Sequence, residues 1–149
     1  MRTSPGATAE SNPNAPATLS RRRCLLIADD NTELNDLLSA YFRELQWQEL
    51  FQAFDGPSAL QLARRHQPSV ILLDLELPVL YGQVVMRALH RDPATAPLKI
   101  IVLTGHPEML TQQDCQAAFA VVRKPFELNA LTDLVEQALA SSGDELTST

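Results

Sequence analysis

Acidic residues stand directly after two short apolar segments of this sequence. Asp29 and Asp30 follow the run 24–28, and Asp74 follows the run 70–73. Carboxylates that converge in one crevice repel one another, and a divalent cation relieves that repulsion. Because every candidate ligand atom is an oxygen, the set favours Mg²⁺. The sequence predicts a magnesium site if the fold brings these three side chains together.

A threonine and a lysine extend this set of reactive side chains. Thr104 follows the apolar run 100–103, and Lys124 follows the run 120–122 after one arginine. A cation, an ammonium group and a hydroxyl together form a cradle for a phosphoryl group with three terminal oxygens. Asp74, at the end of a central apolar run, is the side chain that we expect to attack the phosphorus.

Short apolar runs alternate with segments of helical periodicity along the chain. Runs without polar alternation are typical of strands buried on both faces. The pattern therefore predicts a doubly wound α/β domain, with a five-stranded parallel sheet and helices on both faces. In such sheets the binding site lies beyond the carboxyl ends of the strands, where the reactive side chains stand. Strands are predicted at 24–28, 50–54, 70–73, 100–103 and 120–122, with helices that include 83–91, 108–119 and 128–139.

Two helix starts carry more detailed expectations. Asn31 is expected to cap the first helix, whose core face by helical spacing includes Leu34, Leu37 and Leu38. Asp55 also stands at a strand end, but it lies within an Asp-Gly-Pro turn. We therefore assign Asp55 to turn formation and not to the site.

The chain divides by composition into an arm, a folded domain and a tail. Residues 1–20 are rich in Pro, Ala, Ser, Thr and Asn, which predicts a disordered N-terminal arm. The folded domain is expected at 21–141, and a flexible C-terminal tail at 142–149. The arm lacks the apolar core of a secretory signal, and no apolar run reaches the ~18–20 residues of a membrane span. Cys24 and Cys115, far apart, are interpreted as reduced thiols of a cytoplasmic protein.

Charge is unevenly distributed along the chain. The formal net charge is −6, and residues 24–149 hold 8 basic against 17 acidic side chains, a balance of −9. The three arginines at 21–23 form the only basic cluster of the sequence. Because an acidic body repels a polyphosphate backbone, we expect no nucleic-acid partner.

From about Arg23 to Ala140, the sequence resembles the receiver domain of two-component response regulators. The resemblance implies a flavodoxin-like sheet with the strand order 2-1-3-4-5. Each matching fragment is short, but all five occur in the family's order and at predicted strand ends. They are LLIADD at 25–30, AFDG at 53–56, DLELP at 74–78 with Gly82, LTG at 103–105, and KPF at 124–126.

The resemblance assigns roles to the acidic residues. It implies that Asp74 is the phosphoacceptor and also a ligand of Mg²⁺. Asp30 would bind the ion directly and Asp29 through water. The backbone carbonyl of Glu76 would complete the protein ligands.

The resemblance also assigns the remaining site residues. Thr104 would be the switch hydroxyl that turns toward the phosphoryl group, and Lys124 would pair with a phosphoryl oxygen. The bond between Lys124 and Pro125 would be cis. The family usually carries Tyr or Phe three residues before this lysine, where the present chain has Val121.

The function that the resemblance implies is phosphoryl transfer to Asp74 from a phosphohistidine on a sensor histidine kinase or phosphotransfer protein. Such a protein is a phosphoacceptor, not an enzyme, although it assists its own phosphorylation and slow dephosphorylation. Few residues follow Ala140, so we expect a single-domain regulator without a DNA-binding output domain. It would signal through contacts with a downstream protein, as a monomer or weak homodimer.

Two other functions stay under consideration. Val121 cannot move like an aromatic switch, which favours a phosphorylation-independent interaction module with the same fold. The full set of acidic residues, Thr104 and Lys124 disfavours this alternative. A flavin-binding or hydrolytic domain is a poorer match, because two aspartates stand where a flavin phosphate loop needs small residues.

Glu76 adds a charge near the phosphoryl group and is expected to alter its hydrolysis, in a direction that the sequence leaves open.

Overall fold

The computed structural model describes residues 23–148, with side chains as far as residue 141. Five strands alternate with helices, as the apolar runs predict. The strands are β1 (Cys24–Ala28), β2 (Glu49–Ala53), β3 (Val70–Asp74), β4 (Lys99–Thr104) and β5 (Ala120–Arg123). The helices are α1 (Thr32–Glu44), α2 (Gly56–His66), α3 (Gly82–Arg91), α4 (Gln112–Ala117) and α5 (Leu128–Ser148), with a 3₁₀ turn at Pro107–Met109.

All neighbouring strands are parallel, and their order is β2-β1-β3-β4-β5. The predicted doubly wound sheet with the order 2-1-3-4-5 is therefore confirmed. Ala28, the last residue of β1, is level with Ala53 of β2 and Leu73 of β3. The residues that follow these three positions consequently lie along one edge of the sheet.

Two apolar layers cover the sheet, one on each face. Alternate strand residues point to opposite faces, so each strand contributes to both layers. One layer joins the sheet to α2 and α3, and includes Leu26, Ile71, Val102, Ala59, Val85 and Leu89. The other joins it to α1 and α5, and includes Leu25, Leu72, Ile101, Leu38, Phe42 and Val135. Burial on both faces explains why the strands read as continuous apolar runs.

The helix predicted over 108–119 is wrong. The structure has the short 3₁₀ turn, an extended Leu110 and then the six-residue α4. Thr111 starts α4 with a capping box, in which its hydroxyl accepts from the Asp114 N–H while the Asp114 carboxylate accepts from the Thr111 N–H. This local bonding separates two elements that apolar spacing alone had merged.

The predicted core face of α1 is also partly wrong. Leu38 is buried, but the side chain of Leu37 is 54% exposed. The buried side of the helix includes Asn35, Leu38 and Phe42, spaced by three and four residues as one face of a helix requires. Leu37 lies one position away from that stripe. The cap predicted at Asn31 is present, since its side chain accepts from the Leu34 N–H. Asp55, which was assigned to a turn, also caps a helix, because its carboxylate accepts from the Ser58 N–H.

The last helix is longer than predicted. It begins at Leu128 as expected but continues past Leu139 to Ser148, through most of the segment predicted as a flexible tail. The predicted N-terminal arm at 1–20 lies outside the described residues. Within residues 23–148, every helix is too short or too polar to cross a membrane.

Candidate functional site

Three carboxylates converge where β1 and β3 end. Asp29, Asp30 and Asp74 each place a carboxylate oxygen within 4.8 Å of the other two. Asp29 and Asp74 are buried, whereas Asp30 is exposed. The sheet causes this convergence, because β1 and β3 are adjacent and end at nearly the same level.

Lys124 places a positive charge against the two buried carboxylates. Its Nζ lies 2.8 Å from Asp29 Oδ2 and 3.6 Å from Asp74 Oδ1. The Lys124 N–H donates to the carbonyl of Thr104, and the bond between Lys124 and Pro125 is cis. Burial opposes the lysine charge, but the hydrogen bond to Asp29 and the charge of Asp74 outweigh it and raise the pKa of Lys124.

Asp74 is the most perturbed carboxyl of the cluster. Burial, followed by the negative charge of Asp29, raises its pKa from 3.8 to about 6. Lys124 and a hydrogen bond from the Glu76 N–H to Oδ1, at 3.2 Å, limit this rise. The folded protein therefore stabilises the negative charge of Asp74 less well than water does. A cation or a new positive group at this position would lower that cost.

Thr104 is fully buried at the end of β4. It lies one residue beyond Leu103, which is level with Asp74 of β3. Its hydroxyl accepts a hydrogen bond of 2.9 Å from the His106 N–H. The hydroxyl is therefore engaged with its own loop in this structure.

His106 is a neighbour of the site to which the sequence assigned no role. Its Nε2 lies 3.5 Å from Oε2 of Glu76, and its Nδ1 lies 3.3 Å from Oε2 of Glu108. All three side chains are more than half exposed. The only sequence signal was its position two residues after Thr104. His106 and Glu76 connect the loops after β3 and β4 next to the acidic cluster.

Close contact with the backbone explains why position 82, which accompanies the DLELP motif, is a glycine. A Cβ at this position would lie 2.4 Å from the Asp74 carbonyl oxygen and 2.7 Å from the Leu75 Cα. The Gly82 N–H also donates to the Leu75 carbonyl. Because no side chain fits, α3 can begin directly against the backbone that carries Asp74.

Asn35 is a second site neighbour that sequence reasoning missed. It is fully buried in α1, and its amide donates to the carbonyls of Asp29 and Ala53, each at 3.0 Å. The sequence contained a signal for this residue. Asn35 stands three positions before Leu38 and seven before Phe42, which places a polar side chain on the apolar face of α1.

Val121 lies inside the sheet, not at its carboxyl edge. It is level with Val102 of β4, is partly buried, and packs against the apolar layer formed with α2 and α3. Its side chain contributes to the core at a position where the resemblance expects a mobile aromatic ring.

The acidic cluster fits a magnesium ion by its donor chemistry. Its carboxylates supply only oxygen, the ligand atom that Mg²⁺ prefers, and the exposed Asp30 leaves room for the waters that Mg²⁺ retains. Two buried carboxylates share a single ammonium group, so a further positive charge would relieve the remaining repulsion.

Comparison with known proteins agrees with this geometry. The chain matches the family model for the response regulator receiver domain over residues 25–136. It is 33% identical over 117 residues to the DNA-binding dual master transcriptional regulator RpaA of Synechocystis sp., covering 77% of this chain and 48% of RpaA. The chain thus spans about half the length of that relative, and 25% of the Escherichia coli regulatory protein AtoC.

Other similar proteins are covered almost completely. The polar-differentiation response regulator DivK of Brucella anthropi is 29% identical over 125 residues, which are 80% of this chain and 98% of DivK. Among solved structures, the receiver domain of the sensor histidine kinase PA1611 of Pseudomonas aeruginosa superposes with a TM-score of 0.71 at 26% identity, over 80% of this chain and 98% of that one. That structure holds a magnesium ion in its active-site cleft. The present chain belongs to the family of response regulator receiver domains.

Proposed function

We propose that this chain accepts a phosphoryl group on Asp74 from a phosphohistidine of a sensor histidine kinase or phosphotransfer protein. The observation that carries the proposal is the buried Asp74 carboxylate next to Lys124 within a cluster of three carboxylates. In the reaction, the P–N bond of the phosphohistidine breaks and its electron pair stays on the imidazole. A carboxylate oxygen of Asp74 forms the new O–P bond.

Of the three carboxylates, Asp74 is the one suited to be the nucleophile. Its Oδ1 accepts the Glu76 N–H and faces Lys124, while Oδ2 has no hydrogen-bond partner among the described residues. A pKa of about 6 leaves the group mostly ionised at neutral pH. In contrast, Asp29 uses both oxygens, since Oδ1 accepts the Asn31 N–H and Oδ2 accepts from Lys124.

Lys124 and Thr104 would bind the phosphoryl oxygens. Lys124 Nζ is 3.6 Å from Asp74 Oδ1, so a phosphoryl group on Asp74 would lie within reach of the ammonium group. The Thr104 hydroxyl would exchange its bond with the His106 N–H for one with a phosphoryl oxygen. This exchange would connect phosphorylation to the loop after β4 and bias its conformation.

Asp29, Asp30, Asp74 and the backbone carbonyl of Glu76 would hold the magnesium ion. When bound, the ion supplies positive charge that offsets the charge developing on the phosphoryl oxygens. The protein thus assists its own phosphorylation and slow dephosphorylation while acting as a phosphoacceptor and not as a conventional enzyme.

The output is proposed to be a contact with another protein. Almost the whole of DivK corresponds to this chain, so a receiver domain of this extent serves as a complete regulator in that relative. The acidic balance disfavours nucleic acid as a direct partner. We propose a monomer or weak homodimer in the cytoplasm, where Cys24 and Cys115, which form no disulfide bond within the described residues, would stay reduced.

Incubation with acetyl phosphate followed by intact-mass measurement tests this function. We expect a single phosphoryl adduct that requires Mg²⁺ and disappears with a chelator or with Asp74→Asn. Asp55→Asn is the matched control, because Asp55 also follows a strand at this edge but caps α2. It should retain the adduct. An adduct that persists in Asp74→Asn would refute the assignment.

A second candidate function is favoured by Val121. Because its side chain packs in the core, phosphorylation has no aromatic ring to reposition at this face. The chain would then bind a partner equally well with and without a phosphoryl group. Partner affinity in the parent and in Asp74→Asn, each with and without phosphodonor, separates the two functions. Affinity that responds to the phosphodonor only in the parent supports the phosphorylation switch.

A further inference from the structure

Asn35 has an amide orientation that its neighbours determine. One end of the amide faces the backbone carbonyls of Asp29 and Ala53, and that of Ile27 at 3.4 Å. Carbonyls only accept hydrogen bonds, so this end must be the NH₂ group. The other end accepts from Gln52 Nε2 at 3.0 Å, which only a carbonyl oxygen can do. The side chain is thus fully paired although it is fully buried.

The NH₂ group joins two strands just beyond their last paired residues. Pairing of β1 with β2 ends at Ala28 and Ala53, after which the chain turns away at Asp29. The Ala53 carbonyl accepts from the Asp29 N–H at 3.1 Å and from Asn35. The Asp29 carbonyl accepts from Asn35 in turn. The Asn35 side chain therefore extends the hydrogen bonding between β1 and β2 by one residue, to Asp29.

The Asp29 carbonyl belongs to the peptide group that leads into Asp30. Rotation of this peptide changes the direction in which the Asp30 side chain leaves the backbone. Within the described part of the chain, the Asp30 carboxylate has no hydrogen bond or ion pair to hold it. The Asp29 carboxylate, in contrast, is fixed by Asn31 and Lys124. The position of Asp30 consequently depends on its backbone, and Asn35 holds that backbone.

We infer that Asn35 is a positioning residue that aims Asp30 at the cation of the acidic cluster. The inference rests on the proposed function, because it concerns the same magnesium site. Asn35 touches neither the ion nor the phosphoryl group and acts only through the peptide between Asp29 and Asp30. Partners of metal ligands typically change metal affinity by 10–100-fold when they are removed.

The chain offers a matched control within the same network. Ser39 is buried one turn further along α1, and its hydroxyl lies 3.4 Å from the Asn35 Oδ1. Among the described residues it makes no hydrogen bond to the strand ends, so Ser39→Ala removes a buried polar group without releasing Asp30. Val135→Ala is a second control, since Val135 is buried in the layer beneath α5 and its loss opens a cavity in the core.

Calorimetric titration with MgCl₂, together with thermal unfolding of each variant, tests the inference. Asn35→Ala should raise the Mg²⁺ dissociation constant about 10-fold or more, whereas both controls should stay within about two-fold of the parent. All three variants should unfold at lower temperature. With acetyl phosphate, Asn35→Ala should need more Mg²⁺ for half-maximal phosphorylation but approach the parent rate at saturation. If Asn35→Ala does not fold, Asn35→Ser takes its place. Serine keeps a small hydroxyl, and this variant should still bind Mg²⁺ more weakly than the parent.

The outcomes separate this inference from the proposed function. A folded Asn35 variant with the parent's Mg²⁺ affinity overturns the positioning role, and so does an equal loss of affinity in Val135→Ala. The parent and Asp30→Asn report on the site itself. If the parent binds no Mg²⁺, or if Asp30→Asn binds it as the parent does, the proposed magnesium site is wrong independently of Asn35.

Discussion

Replacing Asp74 with asparagine should make the metal-free domain more stable at alkaline pH. Asp74 is buried and lies near Asp29, and these two effects raise its pKa from 3.8 to about 6. The folded domain therefore favours the protonated, neutral form of the side chain more than the unfolded chain does. Asparagine is neutral at every pH and can still accept the Glu76 N–H.

The raised pKa sets both the size and the direction of the effect. A rise from 3.8 to about 6 corresponds to roughly 3 kcal/mol, since one pKa unit is about 1.4 kcal/mol. The stabilising contribution of Asp74 is fully present below pH 3.8 and is lost as the pH rises through about 6. Above that pH the variant should exceed the parent by up to about 3 kcal/mol, a figure that already includes the attraction between Lys124 and the charged carboxylate.

Urea unfolding with a chelator at pH 4 and pH 8 measures this difference. The free energy of unfolding of Asp74→Asn minus that of the parent should increase between the two pH values. Asp133→Asn, an exposed aspartate on α5, is the control and should show no such increase. Equal or lower stability of Asp74→Asn at pH 8 would refute the reasoning that the buried charge is costly in the absence of metal.

Three further perturbations follow from the contacts around the site. Gly82→Ala should lower both stability and the rate of phosphorylation, because the new Cβ would lie 2.4 Å from the Asp74 carbonyl oxygen; urea unfolding and intact mass report the two effects. Asp114→Ala should cost about 1–2 kcal/mol in urea unfolding, because it removes a helix cap and the two hydrogen bonds from Arg87. Saturating Mg²⁺ should raise the melting temperature of the parent but not that of Asp30→Asn, in differential scanning calorimetry.

The fold could be predicted because its strands are buried on both faces. Runs such as 24–28 and 70–73 contain no polar residue, which identifies a covered parallel sheet. Once the sheet is parallel, the residues after the strands must meet at one edge. This topological rule, and not any local signal, brought Asp29, Asp74 and Lys124 into one site.

Features that depend on a single turn of backbone escaped prediction. The helix over 108–119 failed because Leu110 is extended and Thr111 starts a new helix, and apolar spacing does not detect such a cap. Leu37 was assigned to the core because it falls at helical spacing from Leu34, but it lies one position away from the buried stripe that includes Leu38 and Phe42. Asn35 was overlooked for the opposite reason, since a polar residue on a buried stripe becomes informative only when its partners are known.

Locating the phosphoryl group among the three converging carboxylates tests the central claim most directly. Borohydride reduces an aspartyl phosphate to homoserine, so peptide mass spectrometry of the phosphorylated and reduced protein identifies the acceptor by residue. The structure predicts conversion at Asp74 alone, because Asp74 is buried beside Lys124 and its Oδ2 has no hydrogen-bond partner among the described residues. Asp29 has both oxygens bound, and Asp30 is exposed, without an ion pair to Lys124 in that part of the chain. Conversion at Asp29 or Asp30, or at no aspartate of a protein that carries the adduct, would contradict the account.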